Sequence, residues 1–183
     1  MNEVIKAIKN RRSIRNYLPE QIKDEELETI IEAGIHAPTA YNDQPWHFTI
    51  IQKRELIDFI SEESKELMKN SEEEWKRNIA RNGSIHLLYN APTVVVVSGR
   101  KYAVSPLVDC SAAIENMLLA AESLGIGSCW IGLVKPFFTK KDNLAKLNIP
   151  AGYEPYYAFT LGYKSNNNVK APERKRDVVN YIR

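Results

Sequence analysis

The chain has little of what would build a metal centre, a membrane span or a secreted, cross-linked fold. Only two cysteines, Cys110 and Cys129, occur in 183 residues, and they form neither a CxxC pair nor a zinc spacing. Both are expected as reduced thiols in a cytoplasmic protein. The three histidines, His36, His47 and His86, have no ligand spacing, so no metal is expected. The most apolar stretch, 104–134, is interrupted by Asp109, Glu115 and Glu122, which argues against a membrane span. The opening MNEVIKAIKNRRS has no apolar h-region, again pointing to the cytoplasm. Neither sign of charge dominates: 25 Lys and Arg against 23 Asp and Glu leave a formal +2, too mild to indicate a nucleic acid or an anionic membrane as partner. A GxGxxG after a strand and a GxxxxGK[ST] are missing, which disfavours a dinucleotide-binding Rossmann unit and a P-loop. GxSxG and a Ser-His-Asp order are missing too, as are repeats and low-complexity runs.

What is present fits one domain over 1–183. A chain of this length buries roughly 70% of its unfolded surface, and 44% hydrophobic with 26% charged residues suits a globular core. Residues 2–10 predict a short helix with Val4, Ile5 and Ile8 on one side. Asp24 is placed as the N-cap of a second helix, whose Leu27, Ile30, Ile31, Gly34 and Ile35 recur along one face and which Pro38 stops. HFTIIQ at 47–52 alternates as a strand. An amphipathic helix is expected over 54–69 and a charged, peripheral one within 70–83. PTVVVVSG at 92–99 is a β-branched run of the kind buried on both faces. Ser105-Pro106 opens a long helix that reaches Leu124, is capped by Gly125 and is apolar almost all round, hence buried on most sides. Strands at 126–133 and 156–163 bracket a short helix at 139–147. NNNVKAPERKR reads as a polar arm and DVVNYI as a terminal strand. The order implies an α+β fold, an antiparallel or mixed sheet wrapped by helices.

Three stretches carry candidate chemistry. KNRRSIRNY gathers Arg11, Arg12 and Arg15 around Ser13. Such a cluster either complements a helix C-terminus or offers planar donors to an anion, with Arg12 and Arg15 on one side if the helix continues. HAPTAYNDQPWHF (36–48) is either ordinary turn chemistry or a stiff polar loop that presents amides to a ligand. GIGSCWIG (125–132) either packs or lets backbone approach something flat. Cys129 within it reads as buried and inert rather than nucleophilic. A second cationic group, Arg174, Lys175 and Arg176, sits in APERKR.

In this order, RRSIRNY, APTAYNDQPWHF, LGIGSCWIG and the basic arm resemble the FMN-dependent nitroreductase family over nearly the whole chain. The resemblance implies a nitroreductase-like fold, an interlocked homodimer with the 171–183 arm packing on the partner subunit, and two FMN sites lined by both chains. It implies Arg11, Arg12 and Ser13 near the phosphate and ribityl chain together with Arg174 or Arg176, and Arg15 near the pyrimidine end of the ring. Pro38, Thr39, Ala40, Asn42 and Gln44 would line the isoalloxazine, with Ile131 and Gly132 placing a backbone N–H near N5. Asp43 departs from the small neutral residue usual there, and would either repel anionic acceptors or face solvent. The implied activity is hydride transfer from NADH or NADPH to the flavin, and then to a nitroaromatic, quinone or similar acceptor by a ping-pong mechanism. The flavin carries the chemistry, so no catalytic side chain is expected. A module that stores FMN or senses its redox state without fast turnover would use the same residues.

Overall fold

The β-branched run at 92–99 becomes the most deeply buried strand of the molecule, and the other strands assemble around it. The computed structural model describes residues 2–165 and 169–183; the first three positions of the expected polar arm, 166–168, lie outside the described residues. In chain order the elements are α1 (Glu3–Asn10), α2 (Asp24–Ile35), β1 (Trp46–Ile51), α3 (Arg54–Met68), α4 (Glu74–Arg81), β2 (Thr93–Arg100), α5 (Pro106–Ser123), β3 (Ile126–Ile131), α6 (Lys141–Ala145) and β4 (Tyr153–Tyr163), with single 3₁₀ turns at Ala40–Asn42 and Lys135–Thr139. The strands form one sheet in the order β1-β2-β4-β3, with every pairing antiparallel.

Val95 and Val97 of β2 point to one face and meet Cys110, Ala113, Ile114 and Met117 of α5. Val94 and Val96 point to the other and meet Ile57 and Ile60 of α3 together with Phe137. Period-2 alternation therefore feeds two cores from one strand, and each fully buried side chain contributes about 1.5–3 kcal/mol relative to exposure.

Several boundaries differ from the sequence reading, for local reasons. Asp24 is the first residue of α2 rather than its cap; the Glu26 carboxylate, three residues past the boundary, accepts the Lys23 N–H at 2.9 Å, which is the reverse half of a capping box. α5 does begin at Pro106, without a bond from the Ser105 hydroxyl, and ends where Gly125 takes φ 76°. It is less enclosed than its composition suggests, because Leu107 and Val108 are exposed. β3 stops at Ile131. The expected terminal strand DVVNYI is not one: 177–182 lie outside any sheet and are exposed, since β-structure needs a neighbouring edge to bond. Among the described residues no helix is long and apolar enough to cross a membrane.

Candidate functional site

The arginine cluster is built by the end of α1. Helical geometry stops at Asn10, and Arg11 turns the chain extended with φ −51° and ψ 132°. The chain then lies beside the outer edge of β3. Ser13 bridges Ser128, the Ile14 N–H donates to the Ser128 carbonyl at 2.9 Å, and buried Ile14 presses so closely on Gly127 that a Cβ there would meet its Cγ2 at 2.9 Å. The Tyr17 hydroxyl pins the segment from behind, bonding both the Ile14 carbonyl and Thr160 Oγ1 at 2.7 Å. Extended backbone alternates its side chains, so Arg11, Ser13 and Arg15 share one face while Arg12 and Ile14 take the other. The helical turn that would have paired Arg12 with Arg15 does not form. Arg12 Nη1 instead donates to the carbonyls of Lys9 and Arg11, both at 2.8 Å.

Charge on the first face is left largely uncompensated. Among the described residues Arg11 has only a distant carboxylate, Glu115 at 3.9 Å. Arg15 donates from Nε to the Tyr89 hydroxyl at 3.2 Å and from Nη1 to the Ser13 carbonyl at 3.3 Å, and no carboxylate pairs with it among the described residues. The bond from Tyr89 holds its guanidinium pKa above the usual arginine value. Nearby Cys129 is pushed up by burial, against the opposing pull of Arg15, Ser13 and Arg11, so it stays a thiol as expected from the sequence. Cys110 is likewise pushed up to about 12 by burial.

The edge of β3 continues past this cluster. Because Ser128 turns its carbonyl outward to Ile14, strand alternation also turns the N–H groups of Trp130 and Gly132 outward. A Cβ at Gly132 would meet nothing within 4 Å. Gly132 opens onto a cleft of about 700 Å³ whose other walls include Met68, Trp75, Leu133, Lys135 and Tyr157. Ile131 is buried beside it.

The second stretch is held in a different manner. Asp109, in the first turn of α5 and 4% exposed, accepts the Thr39 hydroxyl at 2.7 Å and the Ala40 N–H at 3.2 Å. Thr39 Oγ1 in turn accepts the Gln44 N–H at 3.0 Å, and Gln44 Nε2 donates to Asn42 Oδ1 at 2.9 Å. Tyr41, Asn42 and Gln44 all adopt positive φ, 53°, 55° and 43°, a costly run for non-glycine residues. Asp43 does not merely face solvent: Arg100 pairs with it, and its Oδ2 accepts the Val104 N–H at 3.2 Å.

Among the described residues no hydrogen bond or ion pair joins the two stretches within one chain, although both reach α5, Thr39 and Ala40 at Asp109 and Arg11 at Glu115. The loop enters the sheet at Trp46, opposite Gly99, on the β1 edge. Ser13 lies beyond β3, level with Leu161 and hence with Thr93. Four strand spacings of roughly 4.8 Å and six residues of about 3.3 Å each put Ser13 and Trp46 some 25–30 Å apart. Arg174 and Arg176 lie on the exposed arm, and no ion pair or hydrogen bond joins them to the cluster among the described residues. Within the same limits, no three His, Cys, Asp or Glu side chains gather as metal ligands would. Sequence reasoning missed Tyr89, Asp109 and Arg100, whose contacts span 74, 70 and 57 positions and leave no local signature.

A profile of the Nitroreductase family matches residues 8–163. A protein of Archaeoglobus fulgidus, provisionally named NADH dehydrogenase/NAD(P)H nitroreductase, is 38% identical over 89% of this chain and 86% of its own. A crystal structure of a nitroreductase with bound FMN from Bacteroides fragilis superposes with TM-score 0.88 at 33% identity, covering all of both chains. Another, from Desulfitobacterium hafniense and also with bound FMN, gives 0.89 at 30% identity with the same coverage.

Proposed function

The chain belongs to the nitroreductase family and is an oxidoreductase, and from that premise we propose that it holds FMN between two copies of itself and uses NADH or NADPH to reduce a nitroaromatic, quinone or similar flat acceptor. FMN would supply the two-electron chemistry, taking a hydride from the nicotinamide and passing it to the acceptor. The protein's part is to bind, orient and tune.

The observation that carries this reading is the face made by Arg11, Ser13 and Arg15. Two guanidinium groups with little or no carboxylate compensation, flanking a hydroxyl, suit a phosphate monoester, and the outward N–H groups at Trp130 and Gly132 continue the same edge toward a ring. In this reading Arg11 and Ser13 hold the phosphate and ribityl chain, Arg15 faces the pyrimidine end, and Ile131-Gly132 presents its N–H to the flavin edge. Arg12, turned onto the α1 carbonyls, supports the segment from behind.

Pro38, Thr39, Ala40, Asn42 and Gln44 then come from the other copy, because within one chain no hydrogen bond or ion pair among the described residues joins them to the arginine face and their loop leads into β1, across the sheet from Ser13. Exposed apolar side chains on α1 and α5 (Val4, Ile5, Ile8, Leu107 and Val108) and on the tail (Val178, Val179, Tyr181 and Ile182) support the homodimer. They also support an arm, 171–183, that packs on the partner and delivers Arg174 or Arg176. Trp75 and Tyr157 flank the cleft beside Gly132, and their flat apolar faces favour a planar acceptor. Donor and acceptor sharing that space in turn gives ping-pong kinetics. We place the protein in the cytoplasm, with neither nucleic acid nor membrane as partner.

The test is the visible spectrum of the purified protein, then anaerobic addition of NADH and NADPH. The reading expects bound yellow flavin that bleaches within seconds and names the donor. Bound flavin that stays oxidised would favour a storage or sensing role. A colourless protein that takes up no added FMN would overturn the reading.

A further inference from the structure

Arg15 is an exposed side chain on an extended segment, and its one contact near in sequence is the long bond from Nη1 to the Ser13 carbonyl at 3.3 Å. Its one long-range partner among the described residues is Tyr89, which lies 74 positions away. The phenol accepts the Nε–H at 3.2 Å, and its ring lies under the guanidinium, 5.7 Å from centroid to Cζ. A neutral phenol orients an arginine without cancelling its charge, which a carboxylate would do. The contrast within this molecule is Arg100, which is matched by Asp43.

The turn that carries Tyr89 is built to hold it there. Tyr89 and Asn90 are consecutive non-glycine residues at φ 53° and 54°, a backbone conformation that persists only where its surroundings impose it. The surroundings do so. Arg54 Nη2 donates to Asn90 Oδ1 at 2.6 Å and Nη1 to the Asn90 carbonyl at 3.3 Å. The N–H groups of Leu88 and Asn90 both donate to His86 Nδ1, at 3.2 and 3.3 Å. That ring nitrogen therefore carries no proton, and the other one, Nε2, faces Asp58 at 3.1 Å. Asp58 also pairs with Arg54, so α3 clamps the turn from two points.

We propose that Tyr89 is a positioning residue for the cofactor: it fixes the Arg15 guanidinium at the pyrimidine end of FMN with its full positive charge, and so raises both FMN affinity and the flavin's midpoint potential. The inference rests on the flavin reading above.

The experiment is a double-mutant cycle of Tyr89→Phe and Arg15→Gln, read by FMN titration and by the midpoint potential of the bound flavin. Tyr89→Phe keeps the ring and its packing and removes only the hydroxyl. One lost hydrogen bond predicts FMN affinity weaker by about three- to tenfold, a lower potential, and an apoprotein melting temperature close to wild type. If Tyr89 acts through Arg15, the double variant is no worse than Arg15→Gln alone. Wild-type affinity and potential in Tyr89→Phe, or losses that simply add in the double variant, would overturn the assignment. The flavin reading would survive that result, because wild-type protein would still bind FMN. Wild-type protein that binds no FMN would sink both.

Discussion

The two edges of the sheet are held by opposite strategies. At the β1 edge both carboxylates that hold the loop are satisfied: Asp109 of α5 is bonded by Thr39 and Ala40, and Asp43 by Arg100 and Val104. At the β3 edge, Arg11 and Arg15 are set by one carbonyl, a phenol and one remote carboxylate, and their charge remains available. A matched network supports a backbone shape, here three non-glycine residues at positive φ; an unmatched one waits for an anion. Damage to the first edge should therefore appear as lost stability, and damage to the second as lost ligand binding.

The largest expected effect sharpens that contrast on the loop side. Asp109→Ala strands the Thr39 hydroxyl and the Ala40 N–H in a buried site. That should cost about 3 kcal/mol and lower the melting temperature by roughly 10 °C, with or without flavin. Arg15→Ala is the counterpart. Melting of the apoprotein should stay within roughly 2 °C of wild type, since exposed charges add little to stability. FMN binding should weaken by roughly ten- to a hundredfold, and the flavin potential should drop. Similar melting losses in both variants would break the comparison.

A smaller effect comes from pH. Burial holds the His86 pKa below the usual histidine value, although its Asp58 partner pulls the other way. Asp58 itself stays ionised: burial would raise its pKa, but the bonds from Arg54 and His86 hold it below the usual carboxylate range. The charged groups that face His86, namely Asp58, Arg54 and Glu62, which also favours the charged ring, all lie on α3. A histidine depressed in the folded state stabilises the fold above its unfolded pKa, and that contribution is lost as pH falls through and below this range. Thermal melts at pH 5 and pH 7.5 should show the acid loss in wild type and less of it in His86→Gln. Smallest of all is Asp43→Ser. It breaks one partly exposed ion pair worth about 0.2–1 kcal/mol, and should leave the preference between anionic and neutral acceptors unchanged in steady-state assays. A shift toward anionic acceptors would show that Asp43 repels them.

The sequence displayed the parts of this contrast unevenly. β2 was legible because a β-branched run has few other uses. The span of α5 was legible because Pro106 and Gly125 punctuate it. The motif residues were legible as a set, but their grouping was not. That Arg12 turns away follows from the chain becoming extended at Arg11, a choice of a single ψ angle. That the loop and the arginines lie on opposite edges follows from strand order, which period-2 patterning does not encode. Tyr89 and Asp109 read as an ordinary aromatic and an acid inside an apolar helix, and only long-range packing gives them partners. DVVNYI has the composition of a strand, yet composition supplies no edge to pair with.

The central claim is that one FMN site takes its cations from one chain and its loop from the other. A heterodimer test separates cis from trans. Arg15→Ala and Asn42→Asp are placed either in the same chain opposite a wild-type partner, or one in each chain, and tightly bound FMN per dimer is measured. Asparagine and aspartate both tolerate positive φ, so the second change adds charge without changing the loop. With one substitution in each chain, one site keeps both wild-type halves, and about one FMN per dimer should remain tightly bound. With both substitutions in the same chain, each site loses one half and tight binding should vanish. The reverse pattern, with FMN retained only when both changes share a chain, would show that each site is built within a single chain and would contradict the account.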